Sequence, residues 1–337
     1  MSDLTAAHHA HPMTAPLQPA GEFDLIARHF TRPARRAVLG VGDDCALLAP
    51  RPGHHLAVST DMLVEGRHFL STVPPRHLGH KALAVNLSDL AACGAQPLAF
   101  TLALALPRAD EAFVAELAAG MFALADAHGI ELVGGDTTAG PLNLCLTVFG
   151  EVPAGQALLR SGAKAGDALW VSGTLGDARL ALEAFRGTVT LEAADFAAAR
   201  RSMELPEPRV ALGMALRGLA TSAIDLSDGL VGDLGHVLAR SCVGAEVDLE
   251  RLPRSTALSS QNAFLQSECL LAGGDDYELL FTAPDGADAA VQAAGRTAGV
   301  AVHRIGRIVA GPGLRVLDGQ GREVDLSAHR AFDHFRS

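Results

Sequence analysis

The strongest constraint in this chain is a device it uses three times, an apolar run that delivers an aspartate. Leu219 to Ile224 leads into Asp225 and then Leu-Ser-Asp-Gly-Leu230. His55-Leu-Ala-Val-Ser-Thr60 reaches Asp61, and Ile130-Glu-Leu-Val-Gly-Gly135 reaches Asp136. Short apolar runs bounded by turn residues read as strands. One acid at a strand end is ordinary loop chemistry. Three strands ending alike are better explained by a shared cation site. At the Asp225 turn, Ser227 stands where a helix N-cap would, and Asp228 and Gly229 open a helix predicted to run to about Ser241.

The elements between these runs set the fold class. Alternation from Leu98 to Leu106 predicts a long strand, and Leu142 to Val152 another. Asp110 to His128 reads as an amphipathic helix stopped by Gly129. Helical spacing from about Pro75 to Gly94 puts Asp89 in a last turn, facing the negative end of the helix dipole, where a nearby cation would reverse the sign. Gly40-Val-Gly-Asp-Asp44 reads as a tight turn presenting carboxylates. In the second half, strands are predicted at 168–172, 279–282 and 302–309, and helices at 177–185, 192–203, 209–219 and 287–299. Gly173-Thr-Leu-Gly176, between a strand and a helix, has a phosphate-cradle shape but no Walker lysine. The class is α/β (α+β). At 337 residues two domains are expected, 21–153 and 154–337, with the boundary at Pro153 to Gly155. Residues 1–20, rich in Ala, His, Pro and Thr, read as a disordered tail.

Composition narrows the partners. A net charge of -11 disfavours nucleic acid and anionic membranes, and 4% aromatics leaves few stacking platforms. Five cysteines without a C-x-x-C pair read as buried, reduced thiols of a cytoplasmic protein. The N-terminus has no charged start or apolar core of a signal peptide, and no apolar run is long enough to span a membrane. Asp44, Asp61, Asp89, Asp136, Asp225 and Asp228 have no His or Cys at ligand spacing among them, so the implied ion is hard and oxygen-preferring, with Mg²⁺ first. EF-hand spacing and a zinc ligand set are absent. An acidic protein that collects divalent ions can attract phosphates. These features describe a Mg²⁺-dependent enzyme of phosphorylated substrates without naming the substrate.

Read together, Gly42-Asp-Asp-Cys-Ala46, Ser59-Thr-Asp61, Glu65-Gly-Arg-His-Phe69, Val85-Asn-Leu-Ser-Asp-Leu90, Gly134-Gly-Asp136, Val171-Ser-Gly-Thr-Leu-Gly-Asp177, Asp225-Leu-Ser-Asp-Gly-Leu230 and Gly273-Gly-Asp-Asp-Tyr-Glu278 resemble the motifs of the thiamine-monophosphate kinases, in order from about Gly21 to Phe335. The resemblance implies the aminoimidazole-ribonucleotide-synthetase-like fold, with a mixed or antiparallel N-terminal sheet that dimerises and a C-terminal α/β sandwich. It implies a homodimer with ATP near the subunit interface. It further implies Mg²⁺ ligation by Asp44, Ser59, Thr60, Asp61, Asp89, Asp136, Asp225 and Asp228. ATP contacts are implied at Gly135, Asp136, Arg160 and Ser227, and thiamine phosphate contacts at His68, Asp275 and Phe332. The implied reaction is direct in-line transfer from ATP to thiamine monophosphate, giving thiamine diphosphate. The acceptor is already an anion, so no general base is needed. Asp275 stands where the family usually has Glu, and Ala118 where it often has a Tyr against the nucleotide. Competing readings are the purine-pathway synthetase of the same superfamily and a catalytically silent ATP/Mg²⁺ sensor. A selenophosphate synthetase would need a Cys or selenocysteine and a Lys near its N-terminus, and residues 1–40 hold neither Cys nor Lys; a hydrogenase-maturation relative would need a C-terminal Cys, and the sequence ends Phe-Arg-Ser.

Overall fold

The computed structural model describes residues 21–329, so the tail at 1–20 and the expected contact Phe332 lie outside the described residues. Helix α1 (Glu22–Leu25) runs directly into a π-helical turn at Ile26–Phe30. Then follow β1 (His54–Val64), α2 (Pro75–Ala92), β2 (Gln96–Leu106), α3 (Glu111–His128), β3 (Glu131–Ala139) and β4 (Asn143–Pro153). The strands order β1-β4-β2-β3, antiparallel except for the β2–β3 pair. Alternation gives β4 its two faces: Leu144, Leu146 and Val148 turn to the core under α2 and α3. Helix α3 starts where the Asp110 side chain accepts the Phe113 N–H and stops at left-handed Gly129, as its sequence predicts. Helices α2 and α3 touch backbone to backbone, because a Cβ on Gly120 would lie 1.8 Å from the Arg76 carbonyl and one on Gly79 2.0 Å from the Leu117 carbonyl. The other face of the sheet is partly covered by the 37–48 segment and leaves Leu56, Val58 and Met62 of β1 exposed.

The second half contains β5 (Ala168–Ser172), α4 (Asp177–Phe185), α5 (Ala193–Glu204), α6 (Val210–Ala215), β6 (Ser222–Asp225), α7 (Leu230–Ser241), β7 (Gly244–Asp248), α8 (Thr256–Ser259), α9 (Ala263–Ala272), β8 (Leu279–Ala283), α10 (Asp288–Ala298), β9 (Val302–Val309) and β10 (Gly313–Leu317). Its strands order β10-β7-β9-β5-β8-β6, with only β10–β7 parallel. The two sheets share a core. Trp170, Ala223 and Phe281 of the second pack into the same cluster as Leu83, Leu87 and Leu90 of α2. Helix α2 is buried on every side from Lys81 to Ser88, which is the environment of an internal helix rather than of an amphipathic surface one.

Four expectations need correction. Strand β1 runs on past Asp61 to Val64, and β3 past Asp136 to Ala139, because these residues still pair with β4 and β2. Helix α7 opens at Leu230 rather than Asp228, since Gly229 at φ 108 breaks the helical path. Helix α6 ends at Ala215, and 216–221 are turns before the short β6. Of the five free cysteines only Cys269 is buried; Cys45 and Cys242 are exposed. Strand β10 carries no sequence signal strong enough to predict it.

Candidate active site

Helix α2 is the wall on which the acidic site is built. Ser88 Oγ donates to Asp225 Oδ2 at 2.7 Å, and Asp225 is the last residue of β6, only 5% exposed. The next α2 residue, Asp89, accepts from Ser59 Oγ of β1 at 2.5 Å. Asn86 Oδ1 accepts the Asp61 N–H at 3.0 Å, and its own amide is fixed by the Ala82 carbonyl. One turn of helix thus holds acids from β1 and from β6, that is, from both halves of the chain. Burial, then the charges of Asp89 and Asp228, pushes Asp61 up to about 6. Burial and Asp89 push Asp225 up to about 7 against the Ser88 hydrogen bond. Asp89 is raised by burial, opposed by Ser59 and by the positive charge of Arg160.

The turn after Asp225 is capped from within the helix that follows it. Asp233 Oδ2 accepts the N–H groups of Ser227 and Asp228, both at 3.1 Å. Ser227 is therefore not the N-cap, and no side-chain cap of its own serves α7. Burial, and then the charge of Asp228, raises Asp233 to about 7 against these N–H bonds. The 273–278 loop lies alongside, with the Asp275 N–H on the Ser227 carbonyl and the Tyr277 N–H on the Leu226 carbonyl, each at 2.8 Å. Lys81 of α2, 2% exposed, donates to Asp275 Oδ2 at 2.5 Å. The Tyr277 hydroxyl is raised well above its ordinary value by burial, with the neighbouring Asp275 and Asp61 charges adding to it and a hydrogen bond to Asp275. Beneath the loop, buried Glu278 takes a two-pronged contact from Arg209, 2.7 and 2.5 Å, and the Ser172 hydroxyl at 2.5 Å. His68 sits in the turn after β1, its Nδ1 accepting the Val64 N–H at 3.0 Å.

The other expected residues lie elsewhere. Asp44, Gly135 and Asp136 line a cavity of about 600 Å³ with Ile26, Phe30 and Val41. Gly135 is required there: at φ 149 a Cβ would stand 1.9 Å from the Leu102 carbonyl. Across the sheet Asp61 pairs with Leu146, Leu146 with Leu102, and Leu102 with Gly135. Three strand spacings put Asp61 and Gly135 about 14 Å apart. Alternation turns Asp136 and Thr60 to the open face, away from α2, and Thr60 Oγ1 meets Thr147 Oγ1 at 2.9 Å. Ala118 is buried in α3. Within one chain, then, Ser59, Asp61, Asp89, Arg160, Asp225 and Asp228 gather around one cleft, while Asp44 and Asp136 face another.

Among the described residues no three His, Cys, Asp or Glu side chains close on a point as metal ligands. The donor chemistry nevertheless fits a hard cation. Asp61, Asp89 and Asp225 are oxygen donors on firm supports, and they disfavour each other's charge until a positive ion shares the space. Lys81, Asn86, Ser88, Asp233 and Tyr277 escaped the reading of single motifs. Asn86 and Ser88 carried a signal, polar residues inside an apolar helical run; Asp233 carried none, because its partners precede it.

Comparison with known families agrees with this architecture. Residues 42–152 match the AIR synthase related protein, N-terminal domain, and residues 164–319 the corresponding C-terminal domain. The chain is 46% identical over 324 residues to thiamine-monophosphate kinase of Escherichia coli (strain K12), spanning 94% of this chain and 98% of that protein. A crystal structure of thiamine-monophosphate kinase from Stenotrophomonas maltophilia K279a superposes with TM-score 0.81 at 45% identity, covering 89% of this chain and 95% of that one. A structure of AaThiL complexed with AMPPCP and TMP superposes with TM-score 0.73 at 30% identity, covering 85% and 89%.

Proposed function

The chain belongs to the thiamine-monophosphate kinase family, and from that membership and the cleft on α2 we propose that it transfers the terminal phosphoryl group of ATP directly to thiamine monophosphate. One observation carries the reading: in a chain so similar to these kinases, Ser88 of one half holds Asp225 of the other beside the like-charged Asp89, so both halves supply carboxylates to one wall. Asp61, Asp89, Asp225 and Asp228 would hold Mg²⁺, with Ser59 as a further oxygen donor. A bound divalent ion would screen the charge of two phosphate groups brought together. The chain's own residues orient and exclude: Asn86 fixes the backbone of Asp61, Asp233 fixes the 226–229 turn, and Arg160 sets a positive charge beside Asp89 for the nucleotide. Gly135, Asp136 and Ser227 are assigned to ATP, and His68 and Asp275 to thiamine monophosphate. No base is assigned, because the attacking oxygen of the acceptor phosphate is already ionised.

The reading includes a homodimer. Asp44 and Asp136 stand at the opposite sheet edge and on the opposite face from the Asp61 cleft, and β1 exposes Leu56, Val58 and Met62 on that face. Joining two such sheets would cover the apolar stripe and let one copy's β3 edge complete the other's cleft. Free cysteines and the absence, among the described residues, of a helix able to cross a membrane accord with a cytoplasmic enzyme. Product analysis tests the proposal with purified protein, ATP, Mg²⁺ and either thiamine monophosphate or thiamine. Thiamine diphosphate from the monophosphate alone, and only with Mg²⁺, is expected; product from free thiamine would overturn it. Asp61→Asn should remove turnover while the protein stays folded.

A further inference from the structure

We propose that Lys81 is a positioning residue for the acceptor site: through its ion pair with Asp275, helix α2 fixes where that carboxylate stands in the cleft. The inference rests on the assignment of Asp275 to the acceptor. Lys81 lies on the fully buried stretch of α2, and its side chain is 3% exposed, whereas that of Asp275 is 34% exposed. The pair is therefore sealed at the ammonium and open at the carboxylate. A buried ammonium is costly unless paired, and replacing a whole buried ion pair by apolar side chains of similar volume is often neutral or stabilising. A lysine kept there is explained by what it holds. It holds a residue 194 positions away, on a loop of the other half of the chain.

The loop needs holding. Asp275 and Tyr277 both have left-handed backbones, φ 64 and φ 51, a conformation that is strained for a residue other than glycine. Their N–H groups are tied to the Ser227 and Leu226 carbonyls, so the loop moves with the turn that carries Asp225 and Asp228. The Lys81 ammonium then holds the carboxylate, with the buried Tyr277 side chain next to it. Aspartate is one methylene shorter than the glutamate that the resemblance leads one to expect, so its reach is set by the backbone and by Lys81 rather than by its own rotamers. A carboxylate pinned in this way attracts a cationic or N–H-bearing part of the acceptor and repels its phosphate. For thiamine monophosphate that part is the thiazolium or aminopyrimidine, which leaves the phosphate to point toward the Asp61–Asp225 wall.

Steady-state kinetics on the full-length protein decide this, with Lys81→Met, Lys81→Arg, Asp275→Asn and the Lys81→Met/Asp275→Asn double variant. Lys81→Met should raise KM for thiamine monophosphate by about tenfold or more, the value of one charged hydrogen bond, with KM for ATP and kcat within about threefold. Lys81→Arg should recover part of the loss. The double variant should be no worse than Asp275→Asn, because the two residues act as one unit. An unchanged acceptor KM, parallel losses in ATP KM and kcat, or additive effects would overturn the proposal. Should Lys81→Met fail to fold by circular dichroism, Lys81→Arg and Asp275→Asn carry the decision: a raised acceptor KM in both supports it and an unchanged one overturns it. Wild-type protein inactive on thiamine monophosphate would overturn the functional reading and this inference with it. Active wild type with indifferent variants would overturn the inference alone.

Discussion

Asp233→Asn should stabilise the metal-free protein above neutral pH. Asp233 is 3% exposed and accepts two backbone N–H groups on a single oxygen, Oδ2, which an asparagine carbonyl can replace. What asparagine removes is the charge, and the structure disfavours that charge: burial and Asp228 raise Asp233 from 3.8 to about 7. A carboxylate whose folded pKa lies above its unfolded one gives stability at low pH that is lost as pH rises to the folded value. The loss is therefore spread between about pH 4 and pH 7, and the full three units correspond to roughly 4 kcal/mol. Between pH 5.5 and pH 8 about half remains, so wild type should lose roughly 2 kcal/mol more than Asp233→Asn across that interval. Urea denaturation at both pH values in the presence of a chelator measures it. A variant less stable than wild type at pH 8, or a difference that does not change with pH, would refute the reasoning. Asp233→Ala is the control: without any acceptor the two turn N–H groups lose their partner, and the variant should be destabilised by about 1–3 kcal/mol or more at both pH values.

Other perturbations probe packing and assembly. Gly120→Ala should destabilise by about 3 kcal/mol or more in a thermal melt, since its Cβ would meet the Arg76 carbonyl at 1.8 Å and helices α2 and α3 would have to separate. Arg209→Met leaves Glu278 buried without its two-pronged partner and should cost about 3–5 kcal/mol in urea denaturation, whereas a change below 1 kcal/mol would show that the Ser172 hydroxyl suffices. If the proposed dimer forms through this face, Val58→Asp, on the exposed face of β1, should give a folded monomer by sedimentation and remove turnover with it. An active monomer would refute a site shared between copies.

Much of the fold could be read locally. The bounds of α3 follow from Asp110 and Gly129, and most strands follow from two-residue alternation. Misreadings arose where a distant partner decides. Nothing near Asp61 or Asp136 tells that their strands continue, because continuation depends on β4 and β2 offering pairs. The capping of the Asp225 turn runs backward from Asp233, so a forward reading gives Ser227 that role. The candidate acids could be picked out one by one, but their division into two groups could not. That division follows from the order β1-β4-β2-β3, which puts strands far apart in the sheet that a linear reading treats as equivalent. Lys81 was hidden inside an apolar helical stretch where its charge has no local rationale.

The burial of α2 on every side bears on how this protein is made. Its covering comes from β1, β4 and α3, but also from α6 and β6, and Phe281 of β8 joins the same core. During synthesis the helix leaves the ribosome roughly 190 residues before β8 does, an interval of about 10–40 s at ordinary elongation rates. For that time an apolar helix bearing a lone ammonium has half its shelter. The nascent N-terminal half is then a natural client for a chaperone that binds exposed apolar helices, and a gene cut between the two halves should yield fragments that fold only when expressed together.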